Sequence, residues 1–156
     1  MSGLLIGLAV LIITDPYSSE TSRLDLTQPD VSGYNVELAK KIVDAAMGRT
    51  TYDVTYDGSY LSIDYPGGDV PDNMGVCTDV VIRSYRNALN VDLQVEVHED
   101  MKANFGKYPD TWNLRRIDRN IDHRRVPNLR IFFTRRGKSF KVTTDRKSFL
   151  PGGLVT

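Results

Sequence analysis

A lone cysteine at the head of an amphipathic run constrains this chain most. Cys77 is the single cysteine in 156 residues. Neither an internal disulfide framework nor a multi-cysteine zinc site can therefore hold the fold together. Stability has to come from packed apolar side chains, and a chain of this length can bury a core large enough to supply it. The run beginning at Cys77 provides part of that core. Val80, Val81, Tyr85, Ala88 and Leu89 recur at helical spacing, with Asp79, Arg83 and Arg86 on the opposite side. The spacing predicts a helix from 77 to about 89, with Cys77 on its apolar stripe in the first turn.

Three more helices follow from the same reasoning. Ser32 or Asn35 can cap a helix reaching about Met47, with Val36, Ala39, Ile42, Val43 and Ala46 on one face and Gly48 as the stop. Leu93, Val97, Met101 and Phe105 keep helical spacing up to Gly106. Pro127 suits the first turn of a helix that buries Leu129, Phe132 and Phe133 and closes at Arg135, Arg136 and Gly137. Strands are expected where apolar and polar residues alternate, at 52–56, 61–65 and 140–142, with a further one starting at Leu154. Asp57-Gly58, Pro66-Gly67-Gly68 and Pro151-Gly152-Gly153 read as turns.

Ahead of these elements, Leu4 to Ile13 is an unbroken apolar run. It is too short to span a bilayer as a helix and fits the core of a signal peptide. Residues 1–14 are read as that segment, 15–33 as a linker and 34–156 as one domain. Net charge is zero, so the whole chain has no bulk attraction to nucleic acid or membrane. The charge is nevertheless uneven. Residues 1–114 carry 8 Lys and Arg against 17 Asp and Glu, whereas residues 115–156 carry 12 against 3. Such a basic half is either one face of a domain or a surface for an anionic partner.

A cysteine at a helix N-terminus can be a nucleophile, because the unpaired N–H groups there favour both a thiolate and the oxyanion of a tetrahedral intermediate. It can equally be a small residue that fills the apolar stripe. His98, flanked by Glu99 and Asp100, shares a helical face with Met101 and Phe105 and reads first as a packing residue. His123, between Asp122 and Arg124, can be structural or can line a groove. Neither histidine has metal-ligand spacing, and Asp64, Asp69, Asp72 and Asp79 lack the spacing of a calcium loop. No cofactor motif is present. Arg115, Arg116, Arg119, Arg124 and Arg125 can meet carboxylates, and Tyr60, Tyr65 and Trp112 can line a peptide groove.

Several longer stretches carry a resemblance. They are Tyr65-Pro66-Gly67-Gly68-Asp69-Val70-Pro71, then Gly75-Val76-Cys77-Thr78-Asp79-Val80-Val81-Ile82-Arg83, then Asp92-Leu93-Gln94 with Val97-His98-Glu99-Asp100-Met101. Asn120-Ile121-Asp122-His123-Arg124-Arg125-Val126-Pro127-Asn128-Leu129 and Pro151-Gly152-Gly153-Leu154-Val155-Thr156 complete the set. In this order they resemble a bacterial family catalogued as domain of unknown function 1287, which is similar to the NlpC-type peptidases and amidases of the papain-like superfamily. The resemblance implies an α+β fold in which the cysteine-bearing helix packs on an antiparallel sheet. It implies a periplasmic or secreted cysteine amidase or endopeptidase acting on peptidoglycan stem peptides, with Cys77 at the nucleophile position. Tyr65, Asp69, Asp79, His98, His123 and Arg124 are then candidates for the groove or for substrate binding, and no metal is implied.

The family's general base is expected on a His-bearing strand after residue 156. The chain is accordingly expected to be an incomplete, inactive copy with an unfinished sheet. The alternative is a non-catalytic module that binds peptidoglycan or another anionic ligand through its basic region. A nucleic-acid binder is the weakest reading, since no nucleic-acid motif is present.

Overall fold

The computed structural model describes residues 33–156, except 114, 138, 141 and 142 and the side chain of 147. The expectations for residues 1–32, including the signal segment and Ser32, and for Val142 lie outside the described residues.

Four helices carry the fold: α1 (Val36–Gly48), α2 (Cys77–Leu89), α3 (Leu93–Asn104) and α4 (Val126–Arg136). Each begins or ends for a local reason. The Asn35 side chain accepts the Leu38 N–H at 3.0 Å and so caps α1. Asp92 caps α3 by accepting from Gln94 N–H. Asn90 closes α2 in the left-handed conformation. Pro127 lies in the first turn of α4, where its missing N–H costs nothing, and Arg135 and Arg136 face the carbonyl end.

The helices meet in one apolar core. Ile42 of α1, Ile82 and Tyr85 of α2, Leu93, Val97 and Met101 of α3, and Leu129, Phe132 and Phe133 of α4 pack together. Asp100 is buried among them and ties α3 to α4. It accepts from Tyr108 Oη at 2.7 Å and Arg135 Nε at 2.9 Å, and Arg136 lies 3.2 Å away. Burial would raise its pKa, but the Arg135 and Tyr108 hydrogen bonds and both guanidinium charges outweigh that and hold it below the usual carboxylate value.

The sheet is smaller than expected and of the other sense. Among the described residues it consists of β1 (Thr55–Tyr56) and β2 (Met74–Gly75), which are parallel with Thr55 opposite Met74 and Tyr56 opposite Gly75. The antiparallel hairpin suggested by 52–56, Asp57-Gly58 and 61–65 does not form. Asp57 instead uses its carboxylate to accept the Ser59 N–H at 2.8 Å, which turns the chain away from itself. Tyr52, Val54 and Tyr56 are all exposed, so their alternation does not mark a half-buried strand. Leu61, Ile63 and Tyr65 do alternate inward, but without a ladder; the Ile63 N–H goes to the Asn120 side chain at 3.2 Å. Phe140 and Leu154–Thr156 likewise pair with no strand among the described residues.

The Pro-Gly-Gly turn at 66–68 is held by one buried side chain. Gln94 accepts the Gly68 N–H at 3.0 Å and donates to the carbonyls of Asp64 and Arg119. A Cβ on Gly68 would sit 2.0 Å from the Asp64 carbonyl oxygen, so no side chain fits there. Arg83 and Arg86 on α2 hold the following loop through Asp69, at 2.9 Å and 3.6 Å. That loop leads through β2 directly into Cys77.

Candidate active site

Cys77 is the first residue of α2 and is exposed. Tyr85 of the expected stripe and Ile82, which was not placed on it, enter the core, while Cys77 and Val80 stay out of it, contrary to the placement expected from periodicity. The Cys77 and Thr78 N–H groups have no carbonyl behind them in the helix, as at any helix start. They mark the place where an oxyanion formed next to the sulfur would find donors.

Asp79 fixes that helix start. Its Oδ2 accepts the Val76 N–H at 2.7 Å, the return half of a capping arrangement. Asp79 also accepts from Arg124 Nε at 2.8 Å and from the terminal Arg124 nitrogen at 2.9 Å, in a bidentate pair whose side chains are each 3% exposed. The helical pattern placed Asp79 on the solvent side of α2, whereas the structure buries it. Thr78 Oγ1 donates to the Arg124 carbonyl at 2.8 Å, so one turn at Asp122–Arg124 is bolted to the α2 N-terminus from two residues. The Asp79 hydrogen bond holds Arg124 protonated above its usual range.

Gly75 makes room for this lock. It has φ +151°, and a Cβ there would lie 2.8 Å from Asp79 Oδ2. Gly75→Ala is expected to cost about 2 kcal/mol, through backbone strain and displacement of the carboxylate. Chemical denaturation of the two proteins measures it.

Three grooves meet at Cys77. The first, about 350 Å³, runs past Arg49, Tyr52, Val54 and Arg83. The second, about 430 Å³, runs past Tyr56, Tyr60, Trp112 and Arg125. The third, about 260 Å³, is apolar and is walled by Val81, Leu129, Phe133 and Leu154. Arg49, Arg83, Arg124, Arg125 and Arg130 touch these grooves. The first four pair with Asp72, Asp69, Asp79 and Asp122, which leaves Arg130 as the groove cation with no carboxylate partner among the described residues.

The other candidate residues lie elsewhere. Tyr65 packs against His98 with ring centroids 5.2 Å apart, and Arg119 lies 5.7 Å over the Tyr65 ring. Neither Tyr65 nor His98 lines any of these three grooves. Asp69 is committed to Arg83 and Arg86. His123 is 2% exposed and also lines none of the three grooves. Asp79 and Arg124 touch groove walls, but their charged atoms engage each other. Among the described residues, no group of three or more His, Cys, Asp or Glu side chains converges as a metal site, and no helix is long and apolar enough to cross a membrane. Tyr56, exposed beside the cysteine, was not singled out by sequence reasoning. Its alternation with Val54 suggested a strand interior and gave no signal of a groove wall.

Burial, aided by the Arg124 charge, lowers the His123 pKa to about 4, with Asp79 and Asp92 opposing weakly. The imidazole is neutral in the folded protein at pH 7. Since the folded value lies below the ordinary 6.5, this stabilisation is complete above pH 6.5 and is lost as pH falls toward 4. The loss is expected to be about 3 kcal/mol. Denaturation midpoints measured across that window should fall for the native protein, and the slope should flatten in His123→Gln.

Comparison with known proteins agrees on family and goes no further. The chain is 40% identical over 150 residues to "Uncharacterized protein YijF" of Escherichia coli (strain K12), covering 96% of this chain and 73% of that protein. No solved structure matches it. The model for "Domain of unknown function (DUF1287)" matches residues 43–156, a stretch that contains the α2 N-terminus, its Asp79–Arg124 lock and all five of the sequence stretches that carry the resemblance. This chain belongs to the DUF1287 family.

Proposed function

We propose that this protein is a cysteine amidase or endopeptidase that cuts amide bonds in peptidoglycan stem peptides, with Cys77 as nucleophile. The observation that carries the reading is the position of Cys77. It is exposed, sits first in its helix and lies where three grooves converge. A cysteine serving only to pack the core would be buried, as Tyr85 of the same stripe is.

In this reading the thiolate attacks the amide carbonyl and the Cys77 and Thr78 N–H groups hold the oxyanion. The acyl-enzyme forms as the amine leaves with a proton, and water then releases the acid. That proton comes from the Cys77 thiol; neither His98 nor His123 lines these three grooves, so the reading assigns its transfer to neither. Arg130 on the third groove, which pairs with no carboxylate among the described residues, favours stem peptides, which carry free carboxylates. The segment 34–156 then forms part of a papain-like domain in the periplasm or outside the cell.

The test is digestion of purified sacculi by the complete gene product, with released fragments separated by chromatography. Release that stops after iodoacetamide treatment supports the reading. Release that continues with Cys77 fully alkylated sinks it. A salt-sensitive pull-down with sacculi, without any thiol reactivity, would favour the binding-module alternative, for which Arg130 on the third groove, with no carboxylate partner among the described residues, is the supporting observation.

A further inference from the structure

Six aromatic side chains are exposed among the described residues, and three of them line the single groove that passes Tyr60 to Cys77. Tyr56 is 78% exposed, Tyr60 57% and Trp112 41%. Rings left in water lose the burial that normally stabilises them. Two of these rings are also fixed in place from behind. Tyr60 Oη donates to Asp118 at 3.1 Å and accepts from the Asn120 amide at 2.8 Å. Arg125 lies 4.4 Å from the Trp112 ring centre, and Arg125 is itself held by Asp122 at 2.9 Å. Groups held rigid before a ligand arrives lose little freedom when it binds.

We infer that this groove is a saccharide subsite, in which Tyr56, Tyr60 and Trp112 seat the amino-sugar ring of a glycan-linked stem peptide while the peptide presents its amide to Cys77. A pyranose ring has an apolar C–H face and a polar edge. The aromatic faces match the first. The Tyr60 hydroxyl and the Arg125 guanidinium, both on the groove wall, offer an acceptor and donors to the second. The first groove, with Arg49 and Arg83, is left to the peptide. Naming the ligand as a peptidoglycan fragment rests on the hydrolase reading; the ring platform does not.

The test uses the chain's single tryptophan, Trp112, as its own reporter. The Cys77→Ala protein, which cannot react, is titrated with tri-N-acetylchitotriose, a soluble oligomer of N-acetylated amino sugar. A saturable change in tryptophan emission is expected. Tyr56→Ala should weaken it about fivefold, the loss of one stacking contact. Its melting temperature should be unchanged, since the side chain is exposed. No emission change up to the solubility limit, or a Tyr56→Ala protein that binds as tightly as its parent, overturns the inference. An emission change with a free stem peptide and none with the sugar also overturns it and makes the groove a peptide subsite. Sugar binding without hydrolysis of sacculi would leave this inference standing and remove the hydrolase reading; hydrolysis without sugar binding would do the reverse.

Discussion

Replacing Arg124 with alanine is expected to destabilise the protein by about 3–5 kcal/mol, the range for stripping one partner from a buried ion pair. The geometry places it there. Both side chains are almost wholly inaccessible, the pair is bidentate, and no other cation pairs with Asp79 among the described residues. Alanine leaves a carboxylate in a dry site with only the Val76 N–H as partner. The carboxylate must then take up a proton or draw in water, and either course loosens the α2 start. Chemical denaturation measures the loss. The double replacement Asp79→Leu with Arg124→Met provides the control, because removing both charges together should cost far less than removing one. A single variant that loses under 1 kcal/mol would show that the pair is not the lock described here.

Cys77→Ala in the complete gene product is expected to reduce hydrolysis of stem-peptide amides at least a thousandfold, with the fold unchanged. Removal of a covalent nucleophile costs roughly 10⁴ to 10⁶ in the systems where it has been measured, the remainder coming from binding and oxyanion donors. Here the substitution removes one exposed sulfur that makes no contribution to the apolar core. Stability should move by less than about 0.5 kcal/mol, as for other exposed positions. The measurement is the rate of new amine formation from a defined muropeptide, taken beside a thermal melt. Full activity in the alanine protein would remove the hydrolase reading, while lost activity accompanied by a lowered melt would mean that the sulfur serves the fold.

The helices were legible because their signals are local. Asn35 and Asp92 cap within three residues, and the spacing of Leu93, Val97 and Met101 follows from the helical pitch. The sheet was misread because alternation along Tyr52, Val54 and Tyr56 arises equally in a strand and in an exposed groove wall, and one sequence does not distinguish them. Asp79 was placed on the polar side of α2 because its partner is 45 positions away in the chain. Nothing within a helical window reports an arginine that folds back from another turn. The exposed cysteine was legible as a helix start, but its three grooves depend on residues at 49–60, at 112 and at 121–126 that carry no periodic signal.

That long reach gives the protein a built-in order of assembly. Ribosomes deliver Cys77 well before Arg124, and until the later residue emerges Asp79 has no guanidinium to hold the helix start in register. A growing chain therefore carries its sulfur without the frame that aims it. The corner around Cys77 is finished only after residue 124 has emerged, when the core helices α1 to α3 are already available to pack.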